Sequence, residues 1–94
     1  MERQNPFQPG DRAVHFKRAL ASPEELAAEP MLYLYEIVGV AINSETEEEL
    51  MIYRALYGSG RLYARPLAMF LSEVDRARYP QARQRFRFEP FPNG

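Results

Sequence analysis

The chain contains a single histidine, His15, and no cysteine. Histidine is the side chain whose unperturbed pKa lies nearest neutrality, so His15 is the first candidate for a general base. In the alternating stretch Val14-His15-Phe16-Lys17 it falls on the face opposite Val14 and Phe16, which predicts a position toward solvent or a groove rather than the core. A structural, hydrogen-bonded histidine and a ligand-contacting one both fit this pattern.

Other chemistry is excluded by residue type or spacing. Without cysteine there are no disulfides, thiolate nucleophiles, cysteine-ligated zinc sites or iron–sulfur clusters. One histidine and clustered glutamates without calcium-loop spacing define no ligand set, and no glycine-rich phosphate loop occurs. The sequence therefore predicts no metal and no cofactor.

The segment Ser44-Glu45-Thr46-Glu47 places hydroxyls beside carboxylates, the groups that an activated nucleophile or a cation site needs. Turn capping explains the same residues, because Ser44 with Glu47, or Thr46 with Glu49, has the spacing of a capping box. A Ser-His-carboxylate hydrolase is not indicated, since no Gly-x-Ser-x-Gly motif is present to hold the nucleophile.

Tyrosines and arginines form the remaining group of interest: Tyr33, Tyr35, Tyr53, Tyr57, Tyr63, Arg54 and Arg65. Tyr53 and Tyr57 are four residues apart and so lie on the same side of a strand, and Arg65 follows across a Gly-Ser-Gly turn. An aromatic face beside a guanidinium is typical of sites that stack a ring or bind a carboxylate. In a core this small some of these rings must also be core residues.

These considerations give a hypothesis for the site. The residues expected around one groove are His15, Ser44, Glu45, Tyr53, Tyr57 and Arg65. The alternative is that Arg65 pairs with Glu45 or a backbone carbonyl and only fixes the acidic loop.

Length and composition predict one domain over residues 1–94. Hydrophobic residues make up 46% and charged residues 27%, as in folded globular proteins. No apolar run approaches the roughly 18 residues of a membrane span, and the first residues lack the apolar stretch of a signal peptide, so a cytoplasmic protein is expected. Residues 1–8 are predicted to form a flexible N-terminal segment.

Strand signals recur along the chain. Apolar, β-branched and aromatic runs between turn residues predict strands at residues 11–17, 32–42, 50–57, 62–65 and 83–89. Gly39 predicts a bend or bulge in the second strand, and helical spacing in 67–74 predicts one helical turn before the last strand. The predicted fold class is all-β, a small SH3-like barrel of four or five antiparallel strands.

The acidic segment between the first two strands is read as an insert. Ser22, Pro23 and Glu25 have the spacing of a capping box with proline at the first helical position, which predicts a short helix over 23–29 ended by Pro30. Residues 19–30 are therefore predicted to be an inserted helix and loop. The predicted core consists of Phe16, Ile37, Val38, Ile52, Leu56, Leu67 and Phe70.

Four motifs occur in order along the chain: His15-Phe16-Lys17, Ser44-Glu45-Thr46-x-Glu48, Tyr53-x-x-Leu56-Tyr57 and Arg65-Pro66-Leu67-x-Met69-Phe70. Together they resemble a small bacterial family known as the domain of unknown function 1653. The resemblance covers most of the chain and implies an SH3-like β-barrel with no assigned activity. The chain departs from the family pattern by its insert at 18–31, and by Asn43, where the family often has histidine.

The expected function is non-enzymatic recognition of a small polar or carboxylate-bearing ligand or a peptide, by a monomer or weak homodimer. The alternative is weak nucleic-acid binding through Arg65 and the arginines of the C-terminal half, against which the net charge of -1 argues. A third hypothesis is an enzyme that uses His15 and Glu45 as acid and base.

Overall fold

The fold is a single five-stranded antiparallel sheet with short helical segments, seen in a computed structural model that describes residues 3–92. The strands are β1 (Arg12–His15), β2 (Leu34–Ile42), β3 (Glu49–Ala55), β4 (Leu62–Pro66) and β5 (Phe88–Phe91), in the sheet order β4-β3-β2-β1-β5. The helical segments are a 3₁₀ helix (Phe16–Leu20), α1 (Pro23–Ala28) and α2 (Leu67–Phe70). The predicted all-β class and the helical turn before the last strand are confirmed.

The central hairpin of β2 and β3 carries the predicted irregularity at Gly39, because the pairing register shifts between Ile37 and Gly39. The turn after β2 is organised by Asn43, whose Oδ1 accepts hydrogen bonds from the backbone N–H groups of Glu45 at 2.9 Å and Thr46 at 3.3 Å. The capping boxes predicted from Ser44 or Thr46 do not form, since no helical turn follows.

The sheet curls around an aromatic core. β3 and β5 are three positions apart in the strand order, yet the rings of Tyr53 and Phe88 have centroids 5.5 Å apart. The buried core residues are Phe7, Ala13, Tyr35, Ile37, Met51, Tyr53, Ala55, Phe70, Leu71 and Phe88. A second cluster of Phe16, Val74 and Ala82 lies under the 3₁₀ helix, with Leu20 and Tyr79 packed against it. In the pairing of residues 3–92, β4 and β5 form the two ends of the sheet.

Three of the seven predicted core residues are buried. Phe16, Ile37 and Phe70 are buried, and Leu67 packs at the margin of the main cluster.

The prediction for Val38 is wrong, because it lies in the bulge and is 43% exposed. Ile52 and Leu56 are only half-buried. β3 turns the opposite set of alternate residues inward, and Met51 is fully buried.

The last predicted strand begins later than expected, since β5 starts at Phe88 and only an isolated bridge joins Phe86 to Glu73. Side-chain donors hold the preceding segment instead: Arg76 donates to the carbonyl of Ala82 at 2.8 Å, and Gln84 donates to the carbonyl of Val14 at 3.0 Å. Because these side-chain hydrogen bonds hold the segment in place, it stays folded without the backbone hydrogen bonds of a paired strand.

In the N-terminal segment, for which flexibility is a prediction, the described residues 3–8 include one ring that packs on the core. Phe7 is 5% exposed and meets Phe70 edge-on at 5.6 Å, and Arg3 donates to the carbonyl of Phe88 at 2.8 Å. Burial of this ring outweighs the cost of ordering a short segment. Residues 1 and 2 lie outside the described residues.

The helix in the insert follows its sequence signals. Ser22 Oγ accepts from the N–H of Glu25 and the Glu25 carboxylate accepts from the N–H of Ser22, which completes the predicted capping box. Helix α1 ends at Ala28 and contains no buried residue, so it is a surface feature.

Candidate functional site: a tyrosine cluster beside Arg65

Five tyrosines meet where β2 begins and β3 ends, and together they form the tyrosine cluster: Tyr33, Tyr35, Tyr53, Tyr57 and Tyr63. Tyr35 is central, with ring centroids 5.3 Å from Tyr53, 5.6 Å from Tyr57 and 6.4 Å from Tyr63. The sheet register creates this grouping, because Tyr53 lies opposite Tyr63 and Tyr35 lies opposite Ala55. Local strand pairing therefore assembles one continuous aromatic surface.

Two of these tyrosines are joined through their hydroxyl groups. The hydroxyls of Tyr35 and Tyr57 are 2.7 Å apart, and they share one hydrogen bond. Burial, followed by the bond to Tyr57, raises the pKa of Tyr35, and burial also raises the pKa of Tyr57. Both hydroxyls are consequently protonated at neutral pH; one donates in the shared bond, and the other keeps its proton to offer to a third group.

Arg65 lies at the inner edge of this surface. Its guanidinium carbon is 5.9 Å from the ring centroid of Phe88. Burial raises the pKa of the Tyr53 hydroxyl, and the nearby positive charge of Arg65 opposes that rise. Within residues 3–92 no carboxylate oxygen lies at salt-bridge distance from Arg65. The expected alternative, a pair between Arg65 and Glu45, is thus not formed.

His15 occupies a different environment from the one predicted. Its ring packs edge-on against Phe88 at 4.9 Å and lies tilted beside Tyr33 at 5.8 Å, so it is half-buried on the core side of β1 rather than open to solvent. The prediction failed because the strand ends at His15, and Phe16 enters a 3₁₀ helix that points its ring toward the second cluster.

The chemistry of His15 follows from this burial. Its Nδ1 accepts a hydrogen bond from the backbone N–H of Lys17 at 3.1 Å. Burial, with smaller contributions from the charges of Lys17, Arg65 and Arg87, lowers its pKa to about 4. His15 is therefore neutral at pH 7 and a weak base.

The structure brings together four of the six predicted site residues. Tyr53 and Tyr57 both contact Tyr35, His15 reaches the cluster through Tyr33, and Arg65 lies beside Tyr53.

Ser44 and Glu45 are exposed in the turn at the other end of the β2–β3 hairpin. β3 is seven residues long, from Glu49 to Ala55, so its two ends lie roughly 20 Å apart.

Phe88 is a central contact that the sequence analysis did not single out. It touches His15, Tyr35 and Tyr53 and lies under Arg65. The alternation of arginine and phenylalanine in 83–89 predicted a strand, and it carried the signal that Phe86 and Phe88 share a face. Nothing local indicated that this face closes over the tyrosines.

A separate cleft lies elsewhere among the described residues. Its volume is about 610 Å³, and it lies between the N-terminal segment, α2 and the start of β3, with Leu67, Leu71 and Phe86 as apolar lining and Glu48 and Glu49 at its margin. It shares no lining residue with the tyrosine cluster or Arg65.

The described residues contain neither a metal-binding cluster nor a helix that could span a membrane. Among residues 3–92 no group of three acidic or histidine side chains is placed to hold a metal ion. In the same part of the chain, every helix is too short or too polar to cross a bilayer.

Comparisons with known proteins give one match. Neither the curated proteins nor the solved structures contain a match to this chain. A family model described as a protein of unknown function, DUF1653, matches residues 12–90. That span holds all five strands except the last residue of β5, together with the whole tyrosine cluster. The chain therefore belongs to the DUF1653 family.

Proposed function

We propose that this chain is a non-enzymatic recognition module that binds a carboxylate-bearing ligand through Arg65. The observation that carries the proposal is Arg65, a half-buried residue whose guanidinium lies against the Phe88 ring and the Tyr53 hydroxyl and has no carboxylate partner in the described residues. A partly buried charge costs free energy unless it is paired. A guanidinium offers a planar fork of donors that fits a carboxylate bidentately.

The tyrosine cluster supports the same function by offering both ring surface and neutral donors. Tyr33 and Tyr57 are half-buried, and Tyr63 is 38% exposed, so part of each ring faces outward. Aromatic rings that carry a hydroxyl combine apolar contact area with a directed hydrogen bond. A ligand with a carboxylate and a flat or apolar body matches this combination.

The state of His15 favours binding over catalysis. A general base works best when its pKa lies near the working pH, and the pKa of His15 is about 4. Its proposed partner Glu45 lies at the far end of the hairpin. A neutral, packed imidazole is better suited to shaping the wall of the site beside Arg65.

The test is a titration followed by ¹H–¹⁵N NMR. Acetate, succinate and a short peptide with a free C-terminal carboxylate are added to the protein at low salt, beside the same peptide with an amidated C-terminus. We expect the shifts to fall on residues of β4 and on the tyrosine cluster, and the amidated peptide to cause none. Comparing the small acids with the peptide shows which source of carboxylate the site prefers.

Two variants complete the experiment. Arg65→Gln should abolish the shifts while the melting temperature stays near that of the native chain. Arg61→Gln, in an exposed residue just before β4, is the matched control and should bind normally. Unchanged binding in Arg65→Gln, or salt-dependent binding of a short single-stranded oligonucleotide in preference to every carboxylate, would overturn the proposal.

A further inference from the structure

Half of β2 has an open edge. β1 pairs with β2 only from Leu34 to Glu36, and the backbone of Ile37 is covered by hydrogen bonds with Gly10 and Asp11. Val38 lies in the bulge, and from Gly39 to Ile42 β2 pairs with β3 alone among the described residues.

The hairpin shows which backbone groups point toward this edge. The N–H of Asn43 donates to the carbonyl of Glu48 at 2.8 Å, on the β3 side. Alternate residues of an antiparallel strand direct their backbone groups to opposite sides, so those of Ala41 point to β3. The backbone N–H and C=O groups of Val40 and Ile42 therefore point away from β3, and no strand lies opposite them in residues 3–92.

The side chains along this edge are apolar and exposed. Val38 and Val40 are each 43% exposed and Ile42 is 58% exposed. Residues 37–43 contain neither a charged residue nor a proline.

The two end strands differ from this segment. β4 carries Arg65 and Pro66, and β5 carries Glu89 and Pro90. Charge and proline are the usual protection of a sheet edge against further pairing, and the β2 edge has neither.

We propose that residues 40–42 pair with the same residues of a second copy, antiparallel about a twofold axis at Ala41. Val40 then lies opposite the partner's Ile42, and Ile42 lies opposite the partner's Val40, which gives four backbone hydrogen bonds. The two five-stranded sheets join edge to edge. This surface is independent of Arg65 and of the ligand proposed for it.

The available length favours a second copy over a longer foreign strand. Beyond Ile37 the edge is occupied by Gly10 and Asp11, so an added strand must leave the sheet after about five residues. The β2 strand of a second copy meets this condition, because its backbone turns away from the sheet at Asn43. The paired segments are also uncharged, so no like charges face each other along the seam.

Sedimentation velocity from about 10 µM to about 1 mM tests the association. An interface this small is expected to have a dissociation constant within that range of concentrations. We expect the sedimentation coefficient of the native chain to rise with concentration. Val40→Lys and Ile42→Lys should sediment as monomers at all concentrations. Leu62→Lys is the matched control, because Leu62 is 55% exposed on β4, and it should associate like the native chain.

Hydrogen exchange locates the contact. The amides of Val40 and Ile42 should gain protection as the concentration rises, whereas the Ala41 amide, which faces β3, should be protected throughout and also in both lysine variants. A chain that is monomeric at the highest concentration overturns the proposal. So does a dimer that survives both lysine substitutions, or one whose Val40 and Ile42 amides stay unprotected.

Discussion

Phe70 and Phe88 stack face to face, with ring centroids 4.0 Å apart and an interplanar angle of 9°. Phe70 ends α2 and Phe88 begins β5, so the pair joins the helical turn to the last strand. Both rings are almost fully buried, and Tyr53 contacts each of them. Arg65 and the tyrosine cluster therefore pack on this buried pair of rings.

Phe70→Ala should lower the free energy of unfolding by about 3–5 kcal/mol, because it removes a buried ring and leaves Phe88 without its stacked neighbour. The urea midpoint measures the loss. Met69→Ala is the control, since Met69 is 51% exposed and its truncation should cost little. Equal midpoints for the two variants would show that Phe70 does not hold the core together.

The inward face of β3 gives a second prediction. Met51→Ala should cost about 2–5 kcal/mol, because Met51 is fully buried, whereas Ile52→Ala on the opposite face should cost clearly less. Chemical denaturation of both variants gives the comparison. A larger loss for Ile52→Ala would reverse the face that β3 turns toward the core.

Much of this fold is predictable from local signals. Gly39 predicted the bulge, Ser22 and Glu25 predicted the capping box, and the spacing of Leu67 and Phe70 predicted α2. Each signal acts through hydrogen bonds or sterics within a few residues, so no knowledge of the rest of the chain is needed.

The wrong core predictions concern which face of a strand turns toward the core, and local sequence signals do not determine this. In β3 both alternate sets are apolar, with Leu50 and Ile52 on one face and Met51 and Tyr53 on the other, so periodicity gave no contrast. The curl of the sheet brings Phe88 over β3 and decides between the faces.

The same reasoning applies to the site. Strand register places Tyr53 near Arg65 and His15 opposite Phe88, and the curl of the sheet then brings Phe88 against Tyr53. Ser44 was grouped with them from residue type and motif alone, and neither of these fixes a distance along a hairpin.

The burial of His15 predicts a pH dependence of stability. Its folded-state pKa is about 4 against an ordinary value of 6.5, so the unfolded chain binds the proton more readily between these values. The contribution of neutral His15 to the free energy of unfolding is therefore fully present above about pH 6.5 and is lost as the pH falls toward 4. The free energy of unfolding changes over this interval by at most about 1.4 kcal/mol per pH unit.

The measurement for His15 is the urea midpoint at pH 7 and pH 5. His15→Asn is the matched variant, because an amide oxygen can still accept the bond from Lys17 but does not titrate. The native chain should lose more stability than the variant over this interval. An NMR titration that gives His15 a pKa near 6.5 would remove the basis of the prediction.

The hydroxyl pair of Tyr35 and Tyr57 allows a double-mutant cycle. Tyr57→Phe leaves the buried Tyr35 hydroxyl without its partner and should cost about 1–3 kcal/mol, while removing both hydroxyls should cost less than the sum of the single changes. Thermal or urea unfolding of the four proteins yields the coupling free energy. Tyr63→Phe is the control, and strictly additive single changes would contradict a shared hydrogen bond.

The insert offers the last prediction. Helix α1 buries no residue, whereas Leu20, which lies within the predicted insert of 19–30, packs against the cluster that contains Phe16. Replacing residues 22–29 by a short glycine-containing link should therefore keep the sheet, because long surface segments add little to stability. We expect an unchanged pattern of β-sheet amide signals and a melting temperature lowered by a few degrees, since the weak bond from the Gly58 N–H to Glu29 is lost. Leu20→Ala in the full chain should be the more damaging change, and a shortened chain without native amide signals would show that α1 helps to hold the sheet.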